Sequence, residues 1–186
     1  MPKFTIKKHT HRAKPLRFGF WYKKKEISRT VIFHRSARYF LLDKDQEDTN
    51  KLYGLGFFKF NQIFGVIKGF FSQKYIPDVL HHTDSVRIGW VYDTELDKMV
   101  LYSYVYINGE RRIKELLKVP FETKVNTKIE IEDYSYTFTI SYDSIFSSNR
   151  IAIDVPHGKK WSYYLGLYFG GNKTPNSDLE VTINKN

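Results

Sequence analysis

Apolar and polar residues alternate with a period of two along most of this chain, most clearly between residues 85 and 142. Over Ser135–Tyr142 the order is Ser, Tyr, Thr, Phe, Thr, Ile, Ser, Tyr. Successive side chains of a strand point to opposite faces. Tyr134, Tyr136, Phe138, Ile140 and Tyr142 are therefore predicted to face a core, with the hydroxyl residues outward. Ile129 and Ile131 alternate with Lys128, Glu130 and Glu132 in the same way. Comparable runs occupy Lys3–Lys7, Leu16–Lys23, Thr30–His34, Arg38–Leu42, Lys51–Phe58, Ser85–Tyr92, Lys98–Ile107, Glu110–Leu117, Thr127–Glu132, Ile151–Val155, Tyr163–Phe169 and Asp178–Asn184. Short alternating runs divided by turn signals predict an all-β domain of two packed antiparallel sheets.

Two connections set the register. Asn108-Gly109 lies between alternating runs and suits a type I′ turn, whose two central residues need positive φ. It pairs Tyr106 with Arg111, Tyr104 with Ile113 and Tyr102 with Glu115. The preceding loop, Asp93 to Lys98, pairs Trp90 with Leu101, Ile88 with Ser103 and Val86 with Val105. On the reverse face it pairs Gly89 with Tyr102, Arg87 with Tyr104 and Ser85 with Tyr106. A loop of odd length would put the tyrosines opposite Trp90, because a one-residue slip flips a whole strand. The even register keeps the aliphatic residues together: Val86, Ile88, Trp90, Met99, Leu101 and Val105 form the core face. Arg87, Gly89, Tyr102, Tyr104, Tyr106, Arg111 and Glu115 form the other. Near the C-terminus, Tyr163, Leu165, Leu167 and Phe169 are assigned to the core, which leaves Tyr164, Gly166 and Tyr168 outside.

Residues 60–71 break the two-residue period. Phe60, Ile63, Phe64, Ile67, Phe70 and Phe71 follow a helical spacing, weakened by Gly65 and Gly69. This predicts a short helical or irregular insertion at about 59–80, packed on the sandwich or contributing Phe60, Phe64, Ile67 and Phe71 to a homo-oligomer contact. Residues 1–15 are read as a basic N-terminal arm and 16–186 as one domain.

Composition sharpens this picture. The 186 residues include 14 Tyr, 15 Phe and no Cys, which favours strands and excludes disulfides and thiolate metal sites. The net charge is +10, with nine Lys or Arg and no acid in the first 25 residues. Such a start either keeps the domain soluble or attracts nucleic acid or an acidic polysaccharide. No recognition helix or single-strand-binding motif accompanies it, which ranks nucleic acid below the other partners. The first residues lack the apolar run of a signal peptide, and Lys59, Asn61 and Lys68 interrupt the later apolar stretch. The expectation is a protein that is cytoplasmic at synthesis, makes no membrane contact, and fits a phage or other particle.

Candidate chemistry centres on the tyrosine face. Tyrosine offers a flat ring for stacking and a hydroxyl for hydrogen bonding, which suits sugars. Arg87 and Arg111 beside the rings could make cation–π contacts or bind a carboxylate or sulfate. His82, in the pair His81-His82, stands near the entry to that strand. The alternative is that another segment or chain covers this face, and Ile113 on it favours cover. His9 and His11 lack a third metal ligand at useful spacing. Asp43, Asp45, Glu47 and Asp48 lack the Gly and distal Glu of an EF-hand loop. Neither a cofactor nor a metal is called for. Asn172-Lys173-Thr174 is a glycosylation sequon without a secretion context.

The order of strands, the tyrosine-bearing middle strands and the run Tyr163 to Asn172 before a last strand at Leu179–Ile183 resemble the concanavalin A-like jelly rolls. That superfamily includes lectins, glucanases and alginate lyase-type polysaccharide lyases. The resemblance, from about Arg29 onward, implies a jelly-roll sandwich. The lyases carry R-S-E-L-R, Q-I-H and Y-F-K-x-G-x-Y strands. Here Arg35-Ser36-Ala37-Arg38 matches the first in part, Gln62-Ile63-Phe64 has Phe for the His, and Tyr164 to Tyr168 lacks the lysine. A lyase base and a carboxylate-neutralising group could be sought in His82, Tyr104 and Arg87. The close acidic pair of glucanases is missing from any one strand. The leading expectation is a non-catalytic binding or structural module for a glycan, acidic by its cations, or for a protein partner. Arg87, Tyr102, Tyr104, Tyr106, Arg111, Tyr164, Tyr168 and His82 form its site. A polysaccharide lyase or glycoside hydrolase on the same face is the alternative.

Overall fold

A computed structural model describes residues 2–17, 19–58, 81–153 and 161–185. The insertion expected at 59–80, with Phe60, Phe64, Ile67 and Phe71, lies outside them, as does Gln62-Ile63-Phe64.

The described chain folds as two antiparallel sheets. The strands are β1 (Lys3–Ile6), β2 (Ala13–Lys14), β3 (Phe20–Tyr22), β4 (Glu26–Phe33), β5 (Asn50–Phe58), β6 (Ser85–Asp93) and β7 (Lys98–Ile107), followed by β8 (Glu110–Val119), β9 (Val125–Ile131), β10 (Ser135–Tyr142), β11 (Ile145–Ala152), β12 (Trp161–Leu165) and β13 (Leu179–Lys185). Seven of them form one sheet in the order β11-β10-β9-β4-β13-β1-β2, and six form the other in the order β3-β12-β5-β6-β7-β8. The expected two-sheet antiparallel sandwich is the fold.

Alternation explains the core. Ile27, Val31 and Phe33 of β4, Tyr136, Phe138 and Ile140 of β10, and Val86, Ile88 and Trp90 of β6 all bury between the sheets. Trp90 sits at the centre, with ring centroids of Phe33, Tyr39 and Phe169 5.6, 5.8 and 6.4 Å away. Full burial of such side chains contributes roughly 1.5–3 kcal/mol each.

Both hairpins adopt the expected register. Asn108 and Gly109 have φ of 51° and 86°, as a type I′ turn requires.

Four expectations are corrected. Arg38–Leu42 is not a strand: it follows a 3-10 turn at Arg35–Ala37, with Arg38 paired to Asp97 and Tyr39 buried. The R-S-x-R motif is therefore a turn. The edge strand β11 begins at Ile145, six residues before the expected start at Ile151, and its exposed edge position removes the apolar signal. Tyr134 precedes β10 and is exposed, not core. The basic start is not a free arm: Phe4 and Ile6 are core residues, and β1 pairs with β13 while Lys7 meets Asp178 at 2.6 Å.

Candidate functional site

The outer face of the six-stranded sheet gathers the tyrosines. From β8 inward it presents Arg111, Ile113 and Glu115, then Tyr102, Tyr104 and Tyr106, then Ser85, Arg87 and Gly89, by direct pairing. Strand β5 follows with Lys51 opposite Gly89 and Gly54 opposite Arg87. Beyond it, β12 pairs Tyr163 with Gly56 and Leu165 with Gly54.

The two glycines of β5 shape this surface. A Cβ on Gly56 would come 2.5 Å from the ring of Tyr163, and one on Gly54 would strike the Val86 carbonyl and the Arg87 stem. Glycine at alternate positions in a strand marks a close approach. Here it lets Tyr163 lie across the sheet, packed in a second small cluster with Phe58 and Leu165.

Arg87 is the deepest charge, with 5% of its surface exposed. Its Nη2 donates to the Gly166 carbonyl at 3.0 Å, and its buried Nε has no hydrogen-bond partner. Among the described residues no carboxylate pairs with it. Burial pulls its pKa down to about 10, which leaves it charged at neutral pH. Lys51, half-buried, places Nζ 5.1 Å from the Tyr104 ring centroid. Burial first, then the Arg87 charge, lowers its pKa to about 8. Burial and the bond to Tyr106 raise the Tyr104 hydroxyl to about 12, while its bond to Arg111 opposes them. At neutral pH that hydroxyl is protonated, its proton engaged with Tyr106.

The rim is histidine and tyrosine. His82 stacks on Tyr106 at 5.2 Å and 26°, and His11 on Tyr168 at 5.4 Å and 13°. Tyr168 joins the face through reciprocal backbone bonds with Lys51, 2.8 and 2.9 Å long. His81 is held neutral: burial, followed by the Arg87 charge, brings its pKa down to about 3. The face is graded. Tyr104 and Arg87 are buried, Tyr102 and Tyr106 are half-buried, and Arg111 is exposed.

Seven of the eight expected residues thus share one face: Arg87, Tyr102, Tyr104, Tyr106, Arg111, Tyr168 and His82. Tyr164 does not. It pairs with Leu55 and packs in the inter-sheet core, and Tyr163 and Leu165 take the outer face instead. The alternation does not run unbroken from 163 to 169: β12 ends at Leu165, and past Gly166 the phase has changed, so Leu167 and Phe169 are core. Lys51, Tyr163 and His81 were missed. Lys51 reaches the site through the pairing of β5 with β6, which no short turn announces, although the alternate Gly54 and Gly56 were a legible sign of close packing. His9 and His11 belong to no group of three or more potential metal ligands among the described residues, nor do the acids of 43–48. Those acids form a capped 3-10 turn with Asp43 paired to Lys173. Among the described residues no helix is long and apolar enough to cross a membrane.

No family model matches the chain, and a search of curated protein sequences finds no relative. Solved structures do align. An alginate lyase from Klebsiella pneumoniae superposes with a TM-score of 0.54 and 9% identity, over 85% of this chain and 56% of the lyase. The chain thus spans a little over half of that protein. Tailspike protein 2 of the Escherichia coli O157:H7 bacteriophage CAB120 gives 0.45 and 10%, over 89% of this chain and 20% of the tailspike. A xylan β-1,4-xylosidase from Bacillus halodurans C-125 gives 0.42 and 13%, over 87% and 28%. The likeness to the lyase is one of fold: both carry a sandwich of packed antiparallel sheets.

Proposed function

We propose that this β-sandwich is a binding module for an acidic glycan, held on the outer face of the six-stranded sheet. One observation carries the reading: Arg87 is buried, has an unpartnered Nε and no carboxylate partner among the described residues, and Lys51 stands close enough to be repelled by it. A desolvated cation without a counter-charge is costly, and a uronate carboxylate or a sulfate ester reaching Arg87 would offset that cost. Tyr102, Tyr106 and Tyr168 supply rings for sugar faces, and Arg111 and His82 supply donors at the rim. The Tyr104 hydroxyl, bonded to both Tyr106 and Arg111, holds those two groups in place on the face.

A glycan array at low and moderate salt tests this. The expected result is retention of uronate-containing or sulfated glycans over neutral ones, weakened by salt. Arg111→Gln removes a charge-assisted bond of about 1.5–3 kcal/mol, so affinity is expected to fall at least about tenfold. Binding to neutral glycans alone, or to none, overturns the proposal.

A second reading is a polysaccharide lyase on the same face, favoured by Lys51, whose lowered pKa suits proton abstraction α to a carboxylate, and by the fold shared with an alginate lyase. Ultraviolet absorbance of unsaturated products from polyuronates decides between them: a rising trace assigns catalysis, and a flat one with retained binding assigns the module.

A further inference from the structure

At one mouth of the sandwich, away from the tyrosine face, three cations converge. Arg29 of β4 and Lys185 of β13 are direct cross-strand partners. Their neighbours in register, Val31 and Ile183, are both core, so the two-residue period puts Arg29 and Lys185 on the same face, Arg29 buried and Lys185 exposed at the open end of its strand. Like charges directly opposite on a ladder are destabilising. Arg29 is only 8% exposed. Its guanidinium lies 5.7 Å from the Tyr53 ring and 6.0 Å from the Tyr164 ring, Nη1 donates to the Ser28 carbonyl at 2.6 Å, and Nε is buried with no partner.

A cavity of about 80 Å³ opens here, lined by Trp21, Lys24, Glu26, Ile27, Ser28, Arg29 and Lys185. That exceeds the roughly 10–15 Å³ that one water requires. Lys24 adds the third cation, its Nζ 5.7 Å from the Trp21 ring. The single acid in the lining, Glu26, is paired with Lys128 at 3.4 Å. Neither Lys24, Arg29 nor Lys185 has a carboxylate partner among the described residues.

We infer that this cavity is an anion site, taking a small oxyanion such as phosphate or sulfate between Arg29, Lys185 and Lys24. The anion accepts from the guanidinium and from both ammonium groups, and it separates two like charges that the ladder forces together. Free inorganic ion and an ester group on a larger molecule share this chemistry.

The chain has three tryptophans, so labelling with 5-fluorotryptophan gives three ¹⁹F resonances, and Trp21→Phe assigns the one at the cavity. Titration with sodium phosphate and sodium sulfate, against sodium chloride at equal ionic strength, is expected to move the Trp21 resonance saturably. In the Lys24→Gln Lys185→Gln variant that shift is expected to fall by at least tenfold in affinity. Because removing Lys185 also removes the repulsion, the variant is expected to melt higher than wild type in chloride and to lose the rise that phosphate gives wild type. A methyl phosphate arm distinguishes the sources: equal affinity assigns an ester-bearing ligand as admissible, and exclusion of the ester assigns the free ion. A Trp21 resonance that responds no more to phosphate and sulfate than to chloride overturns the inference. So does an undiminished shift in the double variant.

Discussion

Lys51 links the stability of the domain to the chemistry of its tyrosine face. Its pKa falls from 10.5 to about 8 because burial strips its solvent and Arg87 repels it; an attraction from Asp48 opposes them, and a weaker repulsion from Arg111 adds to them. Below pH 8 the ammonium is charged in both the folded and unfolded states, and folding carries the full cost of burying it. Between pH 8 and 10.5 the unfolded chain holds a proton that the folded chain has released, so stability rises with pH across that window. At about 1.4 kcal/mol per pH unit, and allowing for partial solvent access, the effect is on the order of 2–3 kcal/mol. Lys51→Met keeps the apolar stem and removes the charge. The variant is expected to be more stable than wild type at pH 7 by about that amount, with the gap closing toward pH 10. Tyr104, raised to about 12 beside it, acts in the opposite sense above pH 10 but in both proteins alike. The other groups around Lys51, namely His81, Tyr168, Arg87 and Arg111, are also common to the pair. Urea unfolding followed by tryptophan fluorescence at pH 7, 8, 9 and 10 measures the gap. A gap that stays constant with pH refutes the account of Lys51 as a desolvated, repelled cation. An acidic oligosaccharide should bind wild type more weakly as the pH passes 8, and Lys51→Met with no such inflection.

Further outcomes follow from particular contacts. Gly54→Ala drives a Cβ against the Val86 backbone carbonyl and is expected to destabilise by about 1–3 kcal/mol or more, read as a lower urea midpoint. Tyr53→Phe strips a buried hydroxyl from Thr127, which it meets at 2.7 Å, with an expected loss of about 1–2 kcal/mol in the same assay. His81, held near 3 when folded and close to 6.5 when unfolded, makes stability fall as the pH drops below 6.5, because the unfolded chain then takes up the proton that the folded chain refuses. His81→Gln is expected to flatten that acid limb.

Local pattern was enough for much of this molecule. The period of two in β6, β7, β8 and β10, with a turn of Asn108-Gly109, determined the antiparallel pairing and put Arg87 beside Tyr104 and Arg111 beside Tyr106. Those facts need only neighbouring residues, since a hairpin's register is set by its own turn and by which side chains must leave water. Lys51 and Tyr163 joined the site through pairings between strands distant in sequence, and the change of phase near Gly166 sent Tyr164 inward while its neighbours turned out. The mouth cavity follows the same logic: Arg29 and Lys185 are 156 residues apart in the chain (185 − 29) and face one another only because β4 and β13 are adjacent in the sheet. The sequence by itself determined which residues alternate and where the chain reverses. Only the tertiary structure decided which distant strands lie side by side, and with that which charges are left buried without a counter-charge among the described residues.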